Sequence, residues 1–256
     1  RVLSVIAQRL DRRPRGRAKK ADVLEMIRFL GCVQLDTISV VSRSHETVLW
    51  SRLGAFDPDW VWELYAPDRS VFEYWAHAAA IVPIESFPYF KPAMELRASS
   101  DHEYGQWLIE NADTADLVLG AIADQGAVTS RSFDRPEGPR PAAWAWYGGK
   151  PTKQALDVLW TTGKITIAER RGFERWFDLI ERVIPDTYRD VRISPEEQRR
   201  FLASSSLRAL GVATPKWAAD YFRTGGKPHV NAAGMASELE TMSREGLAIP
   251  LDIEGV

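Results

Sequence analysis

The stretch from Gly31 to Arg52, GCVQLDTISVVSRSHETVLWSR, constrains the fold more than any other part of the chain. Over a short distance it passes from the end of a helical pattern to a run of β-branched residues, and then to a second helical pattern. The β-branched run and the apolar residues before it predict extended chain, because such side chains favour the pleated conformation. We therefore expect a short extended segment between two helices.

Gln34 and Asp36 lie one residue apart in this predicted extended segment. Side chains at positions i and i+2 of an extended chain point to the same side, so both should face one place while Leu35 turns towards the core. An amide and a carboxylate on one rigid face can hold a water molecule between them, and such an arrangement suits hydrolysis. For a Gln-x-Asp spacing taken alone, a polar strand face or a helix cap is the commoner explanation.

The residues around this pair resemble the signature of the winged-helix alkyl-DNA glycosylases of the YcaQ/AlkZ type. The similarity lies in Gln-Leu-Asp-Thr-Ile-Ser-Val-Val, the following Arg-Ser-His, the later Val-Leu-Trp-Ser-Arg-Leu, and Phe-Glu-Tyr-Trp with a histidine further on. The resemblance implies tandem winged-helix units and excision of bulky N7-alkylated purines, including the unhooking of interstrand crosslinks. Because the pair is Gln-x-Asp and not Gln-x-Gln, the chain resembles the crosslink-unhooking branch.

The chemistry of this reaction gives the two residues their expected roles. An N7-alkylated purine is positively charged and already a good leaving group, so the enzyme has little need of a general acid. Asp36 would stabilise the oxocarbenium-like transition state and orient a water molecule, and Gln34 would position that water or Asp36 itself. The motif contains no lysine, so we expect a monofunctional enzyme without a Schiff base. The sequence contains no dinucleotide-binding or P-loop motif, so we expect no cofactor. The resemblance implies double-stranded DNA containing alkylated or crosslinked purines as the partner.

The rest of the pattern predicts a mainly α protein with small β-hairpins, organised as tandem winged helix-turn-helix domains. The clearest unit is 101–190, where helices are followed by a hairpin with a basic tip. We expect domains at 1–100, with the Gln-x-Asp motif, at 101–190 and at 191–256. Hairpins are predicted near 71–82 and 164–179, and a strand over 247–253 would leave the third domain incomplete at its C-terminus. Residues 87–100 are predicted to be a connector.

Basic side chains are unevenly distributed along the chain. The formal net charge is −2, which argues weakly against nucleic-acid binding, but residues 1–30 contain nine Lys or Arg against three Asp or Glu. A flexible basic loop can bind phosphates, and a solvated linker explains the same residues equally well. The candidate DNA-binding residues are Arg12, Arg13, Arg15 and Arg17 in this loop, Arg43, Ser44 and His45 after the motif, Lys150 and Lys153 at a recognition helix, and Arg170 and Arg171 at a wing tip.

Other motifs and compositional features exclude several classes of site. The single cysteine, Cys32, excludes an intramolecular disulfide framework and a multi-cysteine zinc site, and its apolar neighbours predict a buried, inert thiol. The four histidines show no close ligand spacing, which makes a metal site unfavoured. His77, on an aromatic strand, is predicted to be a core histidine. The absence of a membrane-length apolar run or a signal peptide predicts a cytoplasmic protein.

Two alternatives to an enzyme remain open from the sequence. The first is a non-catalytic tandem winged-helix transcription regulator, because winged-helix units bind DNA more often than they cut it. A regulator would gain nothing from a carboxylate beside DNA, where Asp36 repels phosphates, so the Gln34 and Asp36 face discriminates between the two. The second alternative is a protein–protein scaffold, which insensitivity of binding to salt would favour.

Overall fold

The structure is a computed structural model of the 256-residue chain, and it describes residues 2–12, 16–133, 151–224 and 227–252. The helices in these ranges are α1 Val2–Ala7, α2 Lys20–Leu30, α3 Ser44–Leu53, α4 Asp59–Glu63, α5 Phe87–Ala98, α6 Glu103–Glu110, α7 Ala112–Gln125, α8 Pro151–Thr161, α9 Ile180–Val183, α10 Asp186–Arg189, α11 Pro195–Leu210, α12 Pro215–Tyr221 and α13 Ala232–Arg244. The strands are β1 Val33–Gln34, β2 Val71–Trp75, β3 Ala79–Pro83, β4 Ile165–Arg171, β5 Glu174–Leu179, β6 Arg223–Thr224 and β7 Lys227–Pro228. The prediction of a mainly helical protein with small antiparallel strand pairs is confirmed.

The helix boundaries follow the start and stop signals in the sequence. Helix α2 ends at Gly31, which adopts the left-handed conformation with φ of 75° and donates its amide to the carbonyl of Ile27. Helix α11 starts with a capping box, in which the Ser194 hydroxyl accepts from the Glu197 amide and the Glu197 carboxylate accepts from the Ser194 amide. Local sequence chemistry therefore accounts for both of these ends.

The chain packs into two compact units, and neither is continuous in sequence. One unit comprises residues 1–58, 74–83 and 192–256, and the other comprises residues 59–73 and 84–191. We call them the motif unit, because it contains Gln34 and Asp36, and the hairpin unit, because it contains β4 and β5. The division into three sequential winged-helix domains at 1–100, 101–190 and 191–256 stays a prediction.

In the motif unit, α2 packs against α3, β3 and α11, so the C-terminal helices complete the core around the N-terminal ones. The Tyr221 hydroxyl donates to the carbonyl of Leu30 at 2.7 Å, at the last residue of α2. A Cβ added to Gly31 would lie 3.2 Å from the ring of Phe222. Glycine thus serves twice at this position, by adopting a positive φ and by admitting the aromatic ring.

The motif strand belongs to a three-stranded sheet with the order β1-β3-β2. Strand β1 pairs antiparallel with β3 in a register that sets Val33 opposite Ile81 and Gln34 opposite Ala80. The hairpin predicted near 71–82 is therefore present. Its second strand, β3, is the central strand of the sheet, and the motif strand β1 is an edge strand paired with it.

In the hairpin unit, α7 and α8 pack together and against the antiparallel pair β4 and β5. The two strands are joined by Gly172 and Phe173, both with positive φ, as a two-residue hairpin turn requires. Val128 adds a single antiparallel bridge to Phe177, with amide-to-carbonyl distances of 2.9 and 2.7 Å. The hairpin predicted near 164–179 is therefore confirmed.

Three elements differ from the sequence prediction. Residues 87–98 form helix α5 and not a connector, with Pro88 in its first turn and Pro92 inside it. The part of 247–253 that the structure describes contains no strand, so no third wing is found there. The sequence analysis also missed the short pair β6 and β7, which lies between α12 and α13.

None of the helices in the described ranges combines the length and the apolar character needed to cross a membrane.

A buried ion pair within the hairpin unit joins Arg170 of β4 to Glu73. The guanidinium of Arg170 donates to both carboxylate oxygens of Glu73, at 2.8 and 2.7 Å, and the two side chains are 6% and 0% exposed. The Glu73 carboxylate also accepts a hydrogen bond from the Tyr65 hydroxyl at 3.5 Å. The backbone carbonyl of Glu73 accepts a hydrogen bond from the indole of Trp160 at 3.0 Å. Burial opposes the charge on Arg170, but the hydrogen bonds and the charge of Glu73 outweigh it and raise the pKa of Arg170.

Removing one partner of this pair should be costly. We expect Arg170→Met to lower the free energy of unfolding by about 3–5 kcal/mol, because the Glu73 carboxylate is left buried without its cation. The matched control is Arg171→Met at the neighbouring, 59% exposed side chain, which should change stability by no more than about 0.5 kcal/mol. Urea denaturation measures both. Adding Glu73→Gln to Arg170→Met should restore most of the loss, and equal effects of the two arginine variants would contradict the assignment.

Candidate active site

The Gln34 to Asp36 segment alternates between solvent and core as the sequence predicted. The Gln34 side chain is exposed, Leu35 is 7% exposed, and Asp36 is half-buried. The backbone is fixed on one side by β3, where the Leu35 amide donates to the carbonyl of Ala79 at 2.8 Å. The amide and the carboxylate that the sequence singled out are therefore accessible side chains on a strand edge whose backbone is held in place.

Asp36 ends the extended conformation by forming an Asx turn. Its Oδ1 accepts the backbone amide of Ile38 at 2.9 Å, the i to i+2 hydrogen bond by which aspartate and asparagine mimic a backbone turn. The turn directs the chain away from β3 immediately after the motif. It engages Oδ1, and no described residue donates a hydrogen bond to Oδ2.

The prediction that the β-branched residues after Asp36 are extended is wrong. Residues 37–43 form a loop, closed by a single antiparallel bridge between Ser39 and Arg43. Ile38 is 69% exposed, Val40 is 90% exposed and Val41 is 97% exposed. The β-branched residues would need a neighbouring strand to form a ladder, and β1 is paired with β3 only through Val33 and Gln34.

The first turn of α3 fixes the other end of this loop. The Ser44 hydroxyl donates to the carbonyl of Gln34 at 3.1 Å, and an Arg43 guanidinium nitrogen donates to the carbonyl of Thr37 at 3.2 Å. The Glu46 carboxylate accepts the Arg43 amide at 3.4 Å and also accepts the Ser42 hydroxyl. An acidic side chain here also complements the positive end of the helix dipole. Ser44 and Glu46 therefore position the motif, and DNA contact by Arg43 and Ser44 stays a prediction.

The role of Glu46 was missed by the sequence analysis. A signal for it was present, because Glu46 lies at the third position of the helix that follows Arg43, where a glutamate typically accepts the backbone amide of the N-cap residue.

The sequence predicted an accessible His45 and a buried His77, and the structure shows the reverse. His45 is 0% exposed, and its Nε2 lies 3.9 Å from the Glu46 carboxylate, so the prediction that His45 contacts DNA is corrected by its burial. His77 is exposed and not a core residue, because it lies in the β2 to β3 turn. Its ring nitrogens lie 3.2 and 3.0 Å from guanidinium nitrogens of Arg223.

The wing and recognition-helix candidates also differ in accessibility. The Arg170 side chain is buried against Glu73, so it cannot reach a phosphate, and the prediction for Arg170 is corrected. Arg171 is 59% exposed, pairs with Glu169 at 2.5 Å and stacks 3.9 Å above the Trp176 ring. Lys153 is exposed in the first turn of α8. Lys150 lies outside the described residues.

The N-terminal basic loop is described only in part. Arg12 and Arg17 are exposed, and Arg12 pairs with Asp11 at 3.3 Å. Arg13 and Arg15 lie outside the described residues. Among the described candidates, Arg17 and Lys153 form no ion pair with another described residue, so they carry the least compensated positive charge.

Cys32 and Tyr221 anchor the start of the motif strand. Cys32 as a residue is half-buried, yet burial of its thiol raises the pKa of Cys32 to about 12 although the side-chain hydrogen bond with Tyr221 lowers it. Burial also raises the pKa of Tyr221, with the neighbouring Cys32 acting in the same direction. Both groups are thus neutral near pH 7, in agreement with the predicted inert thiol.

Within the described ranges, no group of three or more His, Cys, Asp or Glu could hold a metal ion.

Comparison with known proteins assigns the chain to a family. The family model described as DNA glycosylase AlkZ-like matches residues 27–254, a range that begins in α2 and contains Gln34, Asp36 and all of α3. The chain belongs to the AlkZ-like DNA glycosylase family.

The structure is also similar to that of the Streptomyces sahachiroi DNA glycosylase AlkZ, with a TM-score of 0.60. The sequence identity is 16%, and the match covers 95% of this chain and 64% of that one. At this identity the similarity establishes a common fold. The chain spans 64% of the length of that AlkZ-like relative.

The Asx turn separates the effects of two substitutions at Asp36 in this AlkZ-like chain. Asp36→Asn should leave the melting temperature nearly unchanged, because an asparagine Oδ1 accepts the Ile38 amide equally well. Asp36→Ala removes the acceptor and should lower the free energy of unfolding by about 0.5–1.5 kcal/mol. Thermal and urea denaturation measure both effects. Equal destabilisation by the two variants would show that the charge, and not the turn, is what the fold needs.

Proposed function

We propose that the chain acts as a DNA glycosylase that hydrolyses the N-glycosidic bond of N7-alkylated purines, with Asp36 as the catalytic carboxylate and Gln34 as the residue that positions water. The observation that carries the proposal is the accessible pair on a fixed strand edge, within the residues that match the AlkZ-like family. The alternation of Gln34, Leu35 and Asp36 supports a shared direction for the amide and the carboxylate.

The proposed mechanism uses the charge of the lesion. An N7-alkylated purine leaves as a neutral base once its glycosidic bond breaks, and positive charge develops on the sugar. A fixed carboxylate near this charge lowers the barrier by electrostatic stabilisation and orients water for attack on the sugar carbon. One such group supplies about 3 kcal/mol, or roughly a hundredfold in rate.

The fixed backbone supports these roles physically. The Asx turn holds Asp36 by Oδ1 and leaves Oδ2 for the sugar or the water. Pairing with β3 and the Ser44 hydroxyl hold the backbone of Gln34 from two directions. A pair that is positioned before the substrate binds does not have to be ordered during the reaction, which is the basis of catalysis by orientation.

The accessibility of the pair also supports action on bulky lesions. Gln34 is exposed and Asp36 is half-buried, so neither requires the base to enter a closed pocket. A crosslinked purine remains bound to the opposite strand and cannot be turned into a narrow cavity. We therefore include interstrand crosslinks among the proposed substrates, with cleavage of one glycosidic bond as the unhooking step.

DNA binding in this proposal rests on winged-helix elements and exposed cations. The order α6, α7, α8, then the β4 and β5 hairpin agrees with a winged helix in the hairpin unit. The proposed phosphate contacts are those candidates that the structure leaves accessible or does not describe, namely Arg12, Arg13, Arg15, Arg17, Arg43, Ser44, Lys150, Lys153 and Arg171.

Excision should depend on the charge of Asp36. We expect the wild-type protein to release 7-methylguanine from duplex DNA in single-turnover conditions, and Asp36→Asn to slow release by about a hundredfold or more. Gln34→Ala should cost less, about ten- to a hundredfold, because it removes positioning and not charge. Released base is measured by chromatography, with duplex affinity measured on the same samples.

The matched control for this experiment is Asp116→Asn on the exposed face of α7, which should retain full activity. Asp36→Asn should bind the duplex as tightly as the wild type or slightly more tightly, since it removes an anion near phosphates. Tight duplex binding by a wild-type protein that releases no base would favour the alternative of a non-catalytic winged-helix regulator and overturn the proposal.

The accessible cations should make separable contributions to affinity. We expect Arg17→Glu and Lys153→Glu each to weaken binding to undamaged duplex and to lower the slope of log affinity against log salt by about one. The control is Arg199→Glu, because Arg199 is already paired with Glu196 at 2.9 Å. Fluorescence anisotropy across a salt series gives the slopes. A slope equal to that of the wild type removes the substituted residue from the interface.

A further inference from the structure

The most exposed large aliphatic side chains of the described chain lie beside the candidate catalytic pair. Val40 and Val41 are 90% and 97% exposed, and Ile38 on the same loop is 69% exposed. Asp36 comes only four residues before Val40. Apolar side chains held this far into water usually mark a surface that meets another molecule.

The loop that carries the two valines is held in shape from both ends. The Asx turn of Asp36 closes it on one side, and the bridge between Ser39 and Arg43 leaves only residues 40–42 at its tip. The Arg43 guanidinium donates across the loop to the carbonyl of Thr37 at 3.2 Å. The exposure of Val40 and Val41 is therefore built into the loop by hydrogen bonds.

We infer that Val40 and Val41 form an apolar wedge that enters the base stack of duplex DNA beside the lesion and gives Asp36 access to the sugar. This inference rests on the proposed glycosylase function. The occupant is a base step, because the same hydrogen-bonded segment carries the proposed catalytic pair, and partial unstacking beside the lesion gives a side chain access to the sugar without turning the base out of the duplex. Apolar wedges between base steps are a common means of doing so.

The side-chain type fits this task. Valine is branched at Cβ and has little rotational freedom, so little conformational entropy is lost when it is fixed between bases. Two adjacent valines present a short, blunt apolar surface, which agrees with separating a stack and not with reading base edges by hydrogen bonds. Val40 and Val41 are positioning residues in this scheme, and Asp36 performs the chemistry.

The test is the double substitution Val40→Ser and Val41→Ser in the full chain. We expect release of 7-methylguanine from a fully paired duplex to fall by roughly tenfold or more, because the cost of unstacking is no longer offset. The loss should shrink when the lesion lies opposite an abasic site, where the stack is already weakened. The melting temperature should stay that of the wild type, since both side chains are in water.

A direct readout of stacking separates a wedge from a general structural effect. A 2-aminopurine base placed next to the lesion should brighten on saturation with the wild-type protein and brighten much less with the double serine variant. Val40→Ile with Val41→Ile should restore both activity and the signal. Ile249→Ser is the control, because Ile249 is 81% exposed outside any described helix or strand and should behave as the wild type.

Several results would overturn the inference. Unchanged release and unchanged 2-aminopurine signal in the serine variant would show that the loop does not enter the stack. An equal loss of activity on the paired and the weakened duplex would show that it acts in another way. A wild-type dimer that the serine variant abolishes in sedimentation would assign the valines to self-association. If the wild type releases no base, the proposed function fails, and the fluorescence comparison still decides whether the loop enters DNA.

Discussion

The structure around the candidate site depends on the double fixing of the backbone at Gln34 and Leu35. Pairing with β3 holds it along one edge, and the Ser44 hydroxyl reaches back from α3 to the Gln34 carbonyl. The hydrogen bond from Tyr221 to Leu30 fixes the end of the preceding helix. These contacts join elements that are distant in sequence, so the proposed catalytic pair rests on the folded core of the motif unit. The same contacts explain how a segment whose strand, β1, has only two residues can hold Gln34 at the end of that strand and Asp36 two residues beyond it.

Asp36, the proposed catalytic carboxylate, and Glu73, a structural one, lie in different environments. Glu73 is fully buried, and its negative charge is balanced by two hydrogen bonds from the guanidinium of Arg170. Asp36 makes one hydrogen bond with a backbone amide and remains half in solvent. A carboxylate that is already neutralised can do little for a developing sugar cation, whereas one that is fixed but uncompensated can act on it. This difference supports Asp36, and not Glu73, as the group available for chemistry.

The sequence predicted those features that are set locally. The helix before the motif ends at Gly31, and the alternation around Leu35 correctly predicted its burial. The conformation after Asp36 was mispredicted because strand propensity needs a partner strand, and no described strand pairs with the chain beyond the motif except through the bridge within the loop itself. The pairing of Arg170 with Glu73, which lie 97 residues apart, could not be read from spacing. A basic wing tip therefore suggested a phosphate contact where the fold has placed an internal ion pair.

The net charge of −2 becomes compatible with DNA binding once the arginines are divided by their partners. Many are paired within the fold, among them Arg175 with Asp157, Arg189 with Asp186 and Arg200 with Glu238 and Glu245. Such pairs add little to the field at a distance, because their charges cancel over a few ångströms and salt screens the remainder. The field that a phosphate meets comes from cations without a described carboxylate partner, such as Arg17 and Lys153. Under the proposed function, affinity for DNA depends on where a small number of uncompensated charges lie, and the net charge of the whole sequence says little about it.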